Sequence, residues 1–363
     1  MAASRPGSAL DESNDHGFFA HAQLYFFLLM EDRFGHLISY LRVSVTDRCN
    51  ERCQYCMPQE EQEWLTRDEV LSYEEMLRVI RVGAGLGISK IRVTGGEPLT
   101  RRNVLWFFEQ INGIEGINDI GISSNGTLLG KLTKEGITTA QALKNAGVRT
   151  VNVSLDTLNP KEYADTTGRD LFHEAVAGID AAREAGFEKI KINSVLMRHR
   201  NEHELWDLIE FARERDLLLR FIELMPVSTT QVLTEENFLP SGEAKKLIEF
   251  RLGKLKLRPD IRTNGPATYY EVPETGQIVG FIGAMTNLHF CENCNKLRLT
   301  CEGKLRPCLG SHLEFDMREV LRNPEMTDED VAKFFLNVVA RKPEMHEFRE
   351  NYQPGRKMIA IGG

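Results

Sequence analysis

The stretch Lys90-Ile91-Arg92-Val93-Thr94-Gly95-Gly96-Glu97-Pro98-Leu99 passes from a short alternating run into a glycine pair. Ile91 and Val93 fall on one face and Arg92 and Thr94 on the other, the period of two that a β-strand imposes. The same alternation returns in Leu41, Val43 and Val45 against Arg42 and Ser44, and in Ile190 and Ile192 against Lys191 and Asn193. Working outward, 40–45, 90–93, 119–123, 149–154, 189–195 and 218–222 read as strands. Amphipathic helix candidates lie between them near 74–87, 103–112, 138–146, 172–186 and 202–215. Several of these end at a glycine, as helix stops do. Six strand-helix units in succession predict an α/β fold with a parallel sheet, doubly wound or curled into a partial (βα)6 TIM-like barrel. The aliphatic face packs on helices. A closed eight-stranded barrel fills its interior with aliphatic layers, so Arg, Lys, Asn and Ser on the inner face predict an open interior holding a polar, anionic ligand. Any one of these residues reads equally as a salt-bridge partner within the sheet, but the set does not.

The chain has 363 residues, of which 42% are apolar and 27% charged. That composition belongs to a globular protein of about two domains and excludes fibrous or mainly disordered chains. With 53 acids against 45 bases, no global basic field draws the chain to nucleic acid or anionic lipid. Neither nucleic acid nor a membrane is expected as a partner, since the longest apolar stretch, 18–30, is interrupted by His21 and Gln23 and is too short to span a bilayer. The expected location is the cytoplasm. Residues 1–32 read as an irregular N-terminal extension, 33–225 as the barrel and 226–363 as a C-terminal domain. Seven cysteines in two tight groups suit metal binding better than a disulfide framework.

Cys49, Cys53 and Cys56 form a C-x3-C-x2-C set just after the first strand, where loops of parallel strands build ligand sites. Three thiolates suit an iron-sulfur cluster with one open iron; zinc with a distant fourth ligand and incidental cysteines are the alternatives. Adjacent Gly95 and Gly96 leave room for a ligand to approach the backbone, with Glu97 as an acceptor, although the same residues make ordinary turns. Ser123-Ser124-Asn125-Gly126, Ser154-Leu155-Asp156, Asn193 and Glu223-Leu224-Met225 fall at the ends of other strands, so the polar clusters gather on one rim. The second group, Cys291, Cys294, Cys301 and Cys308, reads as a four-cysteine zinc ribbon or as a second iron-sulfur cluster, and the spacing leaves both open. Lys296 and Arg298 beside it are either a solvated face or phosphate ligands.

These motifs together resemble a known family. The first cysteine set with Tyr55 is similar to the radical S-adenosylmethionine superfamily. Asp47-Arg48-Cys49, 91–99, 152–156, 220–225 and the C-x2-C-x13-C of Cys291, Cys294 and Cys308 resemble its GTP 3′,8-cyclase family, from about Arg33 to Gly363. The resemblance implies a 4Fe-4S cluster on Cys49, Cys53 and Cys56 that takes S-adenosyl-L-methionine, lined by Tyr55, Gly96, Glu97, Ser154 and Met225. It implies a second 4Fe-4S cluster on Cys291, Cys294 and Cys308 facing the guanine base, and GTP held by Arg42, Arg92, Ser123, Lys191, Lys296, Leu297 and Arg298. A deoxyadenosyl radical would take hydrogen from the ribose, and the sugar would then attack guanine C8. The implied partners are GTP and an electron donor of flavodoxin or ferredoxin type, with a homodimer as the candidate assembly. Three positions depart from the family: Ser123 in place of Thr, Lys296 in place of Arg, and Cys301-Glu302 in place of a small residue and Asp. Cys301 would complete a four-thiolate zinc site. A twin-cluster radical enzyme acting on a peptide is the runner-up, and a non-catalytic metal-binding or electron-transfer protein a third reading. The terminal 358–363, an apolar run closed by Gly362 and Gly363, reads as a frayed end, or, by resemblance, as a tail threading into the barrel to place Arg42 or another cation for catalysis.

Overall fold

The computed structural model describes residues 30–57, 63–230, 232–261, 263, 265–348 and 352–362. The extension expected at 1–32 therefore lies outside the described residues up to position 29, as does Gly363. Six strands fall where the alternation puts them: β1 Tyr40–Ser44, β2 Lys90–Thr94, β3 Asp119–Ser124, β4 Thr150–Ser154, β5 Lys189–Leu196 and β6 Leu218–Glu223. The expected helices appear as Tyr73–Gly85, Val104–Asn112, Thr139–Asn145, Phe172–Ala185 and Leu205–Glu214, and a further helix, Pro160–Thr167, follows β4. Ser72 starts the first of these with a reciprocal cap, its hydroxyl accepting from the Glu75 amide at 3.1 Å while the Glu75 carboxylate accepts from the Ser72 amide at 2.6 Å.

The fading rhythm after residue 225 conceals six further strands: β7 Lys256–Leu257, β8 Thr268–Glu271, β9 Ile278–Ile282, β10 Lys296–Leu299, β11 Lys304–Arg306 and β12 Phe315–Asp316. All twelve join one sheet in the order β12-β11-β10-β1-β2-β3-β4-β5-β6-β9-β8-β7. β10 runs parallel to β1, and β9 parallel to β6, so the C-terminal part extends the parallel sheet at both edges, with antiparallel β11 and β8 beyond. β10 and β9 are followed by turns instead of helices, so the strand-helix rhythm gives no warning of them.

The aliphatic face is closed. Leu41, Val43, Ile91, Val93, Ile122, Val151, Val153, Ile192, Leu219 and Leu297 are fully buried, against helix residues such as Met76, Ile80, Phe107, Ile179 and Leu208. Each such side chain contributes about 1.5–3 kcal/mol over an exposed one. The opposite face is polar in register: Arg42 stands beside Arg298 of β10 and Arg92 of β2, Asn152 between Ser123 and Lys191, and Arg220 between Asn193 and Gly280.

Candidate active site

The turn after β1 carries Cys49, Cys53 and Cys56, all partly exposed and none in a disulfide. The chain pins this loop from below: the Arg52 and Gln54 amides donate to the Thr167 and Thr166 carbonyls at 2.7 and 3.0 Å, and the Cys56 amide donates to the Cys53 carbonyl at 2.9 Å. The Tyr55 hydroxyl donates to Asp156 Oδ2 at 2.6 Å, and the Tyr163 hydroxyl donates to Glu51. Burial raises all three thiols; the neighbouring carboxylates and thiols raise them further, with Cys56 reaching about 12. Thiols held this far up give thiolates only to a bound cation. Burial raises Asp156 and Glu51, which flank the loop, to about 6 and about 7.

The glycine pair after β2 has a different physical reason from the one its sequence suggests. A Cβ on Gly96 would lie 2.3 Å from the Arg48 carbonyl oxygen, and one on Gly95 would lie 2.8 Å from the Thr46 carbonyl oxygen. The space that was expected to admit a ligand is taken by 46–48, onto which the Gly96 and Glu97 amides donate at 2.7 and 2.8 Å. Glu97 is fully buried and already accepts from the Leu99 and Asn125 amides and the Ser124 hydroxyl at 2.8–3.1 Å. Burial still lifts it to about 7. Glu97 thus braces the β2 and β3 loops around the cysteine turn. Ser154 is exposed at the end of β4, Ser123 is half-buried, and Met225 packs beside Val227 and Phe348.

Arg298, Arg42 and Arg92 form a row across three neighbouring strands, a like-charge arrangement that destabilises a sheet unless an anion or internal acceptors answer it. For Arg92 the acceptors are internal. Its guanidinium donates to the Ile122 and Thr150 carbonyls at 2.9 and 3.2 Å, the Thr150 hydroxyl at 3.0 Å and the Tyr40 hydroxyl at 3.2 Å. It lies over Gly121, where a Cβ would come within 2.4 Å of Arg92 Cζ. Arg92 is a strut of the interior wall. Lys191, 5% exposed, faces its own kind: burial first, then Arg220, Arg92 and Lys90, push its ammonium down to about 7. Burial and then Arg42 bring Arg298 down to about 9, and burial lowers Arg42, Lys296 and Arg220 as well. Burial alone would raise the Tyr40 phenol, yet Arg92, Arg42 and Lys90 draw it to about 7. The mutual repulsion of these cations and the lowered phenol mark a positive field in the interior, the field that an anionic ligand would answer. Leu297 differs from its neighbours, because its side chain belongs to the aliphatic core; only its main chain is offered to the interior. Arg220 and Tyr40 were not picked out as site residues, although both sit on the same alternating phase as Arg42 and Lys191.

Cys291 and Cys294 precede β10 and Cys308 follows β11, whose antiparallel pairing brings it back to the start of β10. Since β10 is parallel to β1, this triplet lies at the opposite end of the strands from Cys49, Cys53 and Cys56. β1 itself, five residues long, spans about 17 Å at a strand's rise. The rim expected from the strand ends carries the first triplet, and the second stands at the other end. Burial would raise the Cys294 thiol, but Lys342 and Lys296 hold it below its ordinary value, whereas burial lifts Cys308 to about 11. Cys301 is fully buried in the aliphatic core and is raised to about 12 by burial and by Asp47 and Glu302. Among the described residues no three His, Cys, Asp or Glu side chains close on the position of one ion.

The C-terminus enters the interior. The Met358 amide donates to the Cys56 carbonyl at 3.1 Å, and Arg298 Nη1 donates to the Gly362 carbonyl at 2.7 Å. Gly362 adopts φ 74°, and a Cβ there would stand 3.0 Å from Ser44 Cβ. Arg356 fastens the tail to Glu302 and, at 2.8 Å, to Glu314.

The parallel sheet and the thiol turn after its first strand define a class, the radical S-adenosylmethionine proteins. Residues 43–212 match the Radical SAM superfamily and 217–348 match Molybdenum Cofactor Synthesis C. The chain is similar, at 41% identity over 335 residues, to "GTP 3',8-cyclase" of Petrotoga mobilis and to that of Thermodesulfovibrio yellowstonii, covering 92% of this chain and 100% of each relative. "GTP 3',8-cyclase 2" of Pseudomonas aeruginosa is 41% identical over 336 residues, which span 92% of this chain and 98% of that one. The chain belongs to the GTP 3′,8-cyclase family. Among solved structures, Streptococcus suis SuiB bound to precursor peptide SuiA shares the fold with a TM-score of 0.58 at 15% identity, over 97% of this chain and 74% of that one. Native anSMEcpe with bound AdoMet shares it at 0.53 and 18%, over 86% and 83%.

Proposed function

We propose that the chain converts GTP to (8S)-3′,8-cyclo-7,8-dihydroguanosine 5′-triphosphate, the opening step of molybdenum cofactor biosynthesis. The observation that carries this reading is the interior of Arg42, Arg298, Lys191 and Arg220, an anion site lying between two cysteine triplets at opposite strand ends. Cys49, Cys53 and Cys56 hold one 4Fe-4S cluster and Cys291, Cys294 and Cys308 the other, with Cys301 no ligand because its thiol is sealed in the core. Tyr55, Gly96, Ser154 and Met225 line the cosubstrate side, and Glu97 acts there through the loops it braces. Arg42, Ser123, Lys191, Lys296 and Arg298 receive the nucleotide, with the Leu297 main chain, and Arg92 shapes the wall they stand on.

When bound, S-adenosyl-L-methionine and the first cluster would supply the radical that removes hydrogen from the ribose 3′ carbon. Closing the bond to guanine C8 leaves an unpaired electron on the base, which one further electron from the donor and a proton would quench to give the 7,8-dihydro product. The chain's own work is placement. Lys191 and Arg220 fix the anionic end by charge-assisted contacts, and the triplet near Lys296 marks the end for the base. The sugar is thereby left facing the first triplet. The tail fills the mouth between Ser44 and Thr94, excludes water and holds the Arg298 guanidinium through the Gly362 carbonyl. A low-potential donor of flavodoxin or ferredoxin type reduces the first cluster, and a homodimer in the cytoplasm is the proposed setting. No helix among the described residues is long and apolar enough to cross a membrane. Residues 33–225 and 226–363 are proposed as the two functional parts, joined by the shared sheet.

The test is anaerobic reconstitution followed by GTP, S-adenosyl-L-methionine and a strong reductant. Deoxyadenosine and a cyclised nucleotide should form together, and only with GTP. Equal deoxyadenosine turnover with ATP or with no nucleotide would remove the assignment.

A further inference from the structure

Lys342 follows the helix Asp328–Ala340 and is 2% exposed. Its ammonium donates to the Pro307 carbonyl at 2.6 Å, the Lys296 carbonyl at 3.1 Å and Cys294 Sγ at 3.5 Å. An ammonium has three protons, and each one is placed. The two carbonyls lie two residues after Cys294 and one residue before Cys308, so a single side chain bridges both arms of the second triplet. A lysine needed only to tie those arms together could do so through the carbonyls, yet its remaining proton is aimed at a sulfur. Burying a full charge is expensive. Lys296 and Arg298 add further cations on the strand that starts at this triplet, so the local field is positive before any cluster arrives.

We propose that Lys342 is a positioning residue for the second cluster: it gives the Cys294 ligand an N–H···S hydrogen bond and a fixed positive charge, and so raises that cluster's reduction potential. The inference rests on the reading that Cys291, Cys294 and Cys308 hold a cluster. Reduction adds negative charge that is shared with the ligand sulfurs, and hydrogen bonds or cations at those sulfurs stabilise the reduced form. Cys294 Sγ receives that buried ammonium at 3.5 Å.

Lys342→Met removes the charge and the donor at similar length, and Lys342→Arg keeps both. Full-length parent and variants are reconstituted anaerobically, assayed for iron and titrated with EPR detection, the signal that responds to S-adenosyl-L-methionine serving as the internal reference for the first cluster. In Lys342→Met the second cluster should become at least about tenfold harder to reduce, a fall of about 59 mV for a one-electron couple, with the first cluster unmoved and Lys342→Arg near the parent. Loss of the second cluster's iron in Lys342→Met but not in Lys342→Arg also supports a need for the charge. Parental potential in Lys342→Met overturns the proposal, and so do two variants that behave alike, because that would mark a purely steric role. A parent carrying only about four irons would overturn the second-cluster reading itself, so the two failures are distinguishable.

Discussion

Lys191 offers a direct measurement of how far the interior is prepared for an anion. Its ordinary value of 10.5 falls to about 7 because burial and the charges of Arg220, Arg92 and Lys90 oppose protonation. A bound polyanion reverses the balance of charge and returns the ammonium to its protonated form. Binding above pH 7 therefore takes up a proton, and affinity should fall as pH rises. If the bound-state value recovers most of the way to 10.5, the loss approaches tenfold per pH unit, about 1.4 kcal/mol. The window from pH 7.5 to 8.5 lies above the second ionisation of a phosphate, near pH 6, so the ligand's own charge is nearly constant. Anaerobic calorimetry of the cluster-loaded protein with GTP should thus give a dissociation constant close to tenfold weaker at pH 8.5 than at 7.5. Methyl triphosphate, a monoester which lacks the nucleoside, should show the same slope. Lys191→Met should bind more weakly at pH 7.5 and lose this ammonium's share of the slope, leaving only what the Tyr40 phenol, also near 7, contributes. A flat profile in the parent, or an equal slope in Lys191→Met, would refute the argument that this ammonium is the group answering the phosphates.

Three further outcomes follow from the geometry. Arg92→Ala leaves the Thr150 hydroxyl and two carbonyls without their donor and opens a cavity over Gly121, so it should cost about 2–4 kcal/mol of stability, read as a clear fall in melting temperature. A variant as stable as the parent would return Arg92 to the list of direct phosphate contacts. Cys301→Ala should leave iron content unchanged by elemental analysis, since that thiol is sealed among core residues; a halved iron content would make it a ligand. Removing Gly362 and Gly363 takes away the carbonyl that holds Arg298 while leaving both triplets, and should lower turnover at least about tenfold, some 1.4 kcal/mol, with iron content and GTP affinity near the parent. Full turnover in that truncation would make the tail's seat incidental.

How much of this is legible in the sequence depends on the range of the forces involved. The strands β1 to β6 are legible because alternation is local: each side chain's face is set by its neighbours one and two positions away. The same logic puts Arg42, Arg92 and Lys191 in the interior. It cannot say which of them is already engaged, because that depends on Gly121 and Thr150, brought alongside Arg92 by strand pairing. The glycine pair also has a non-local reason: its missing Cβ atoms make room for 46–48, a stretch some fifty residues earlier in the chain. Most consequential is β10. Four residues, Lys296–Leu299, followed by a turn, do not announce a parallel strand, yet their pairing with β1 decides where the second triplet goes. Had β10 run antiparallel to β1, Cys291 and Cys294 would sit on the same rim as Cys49, and one long nucleotide could not reach between the triplets. Parallel pairing sets the two triplets about one strand length apart, with the row Arg298-Arg42-Arg92 between them. The direction of one short strand is thus what makes a two-ended site out of two cysteine motifs, and it explains why the cations crowd the middle of the sheet and not its rim.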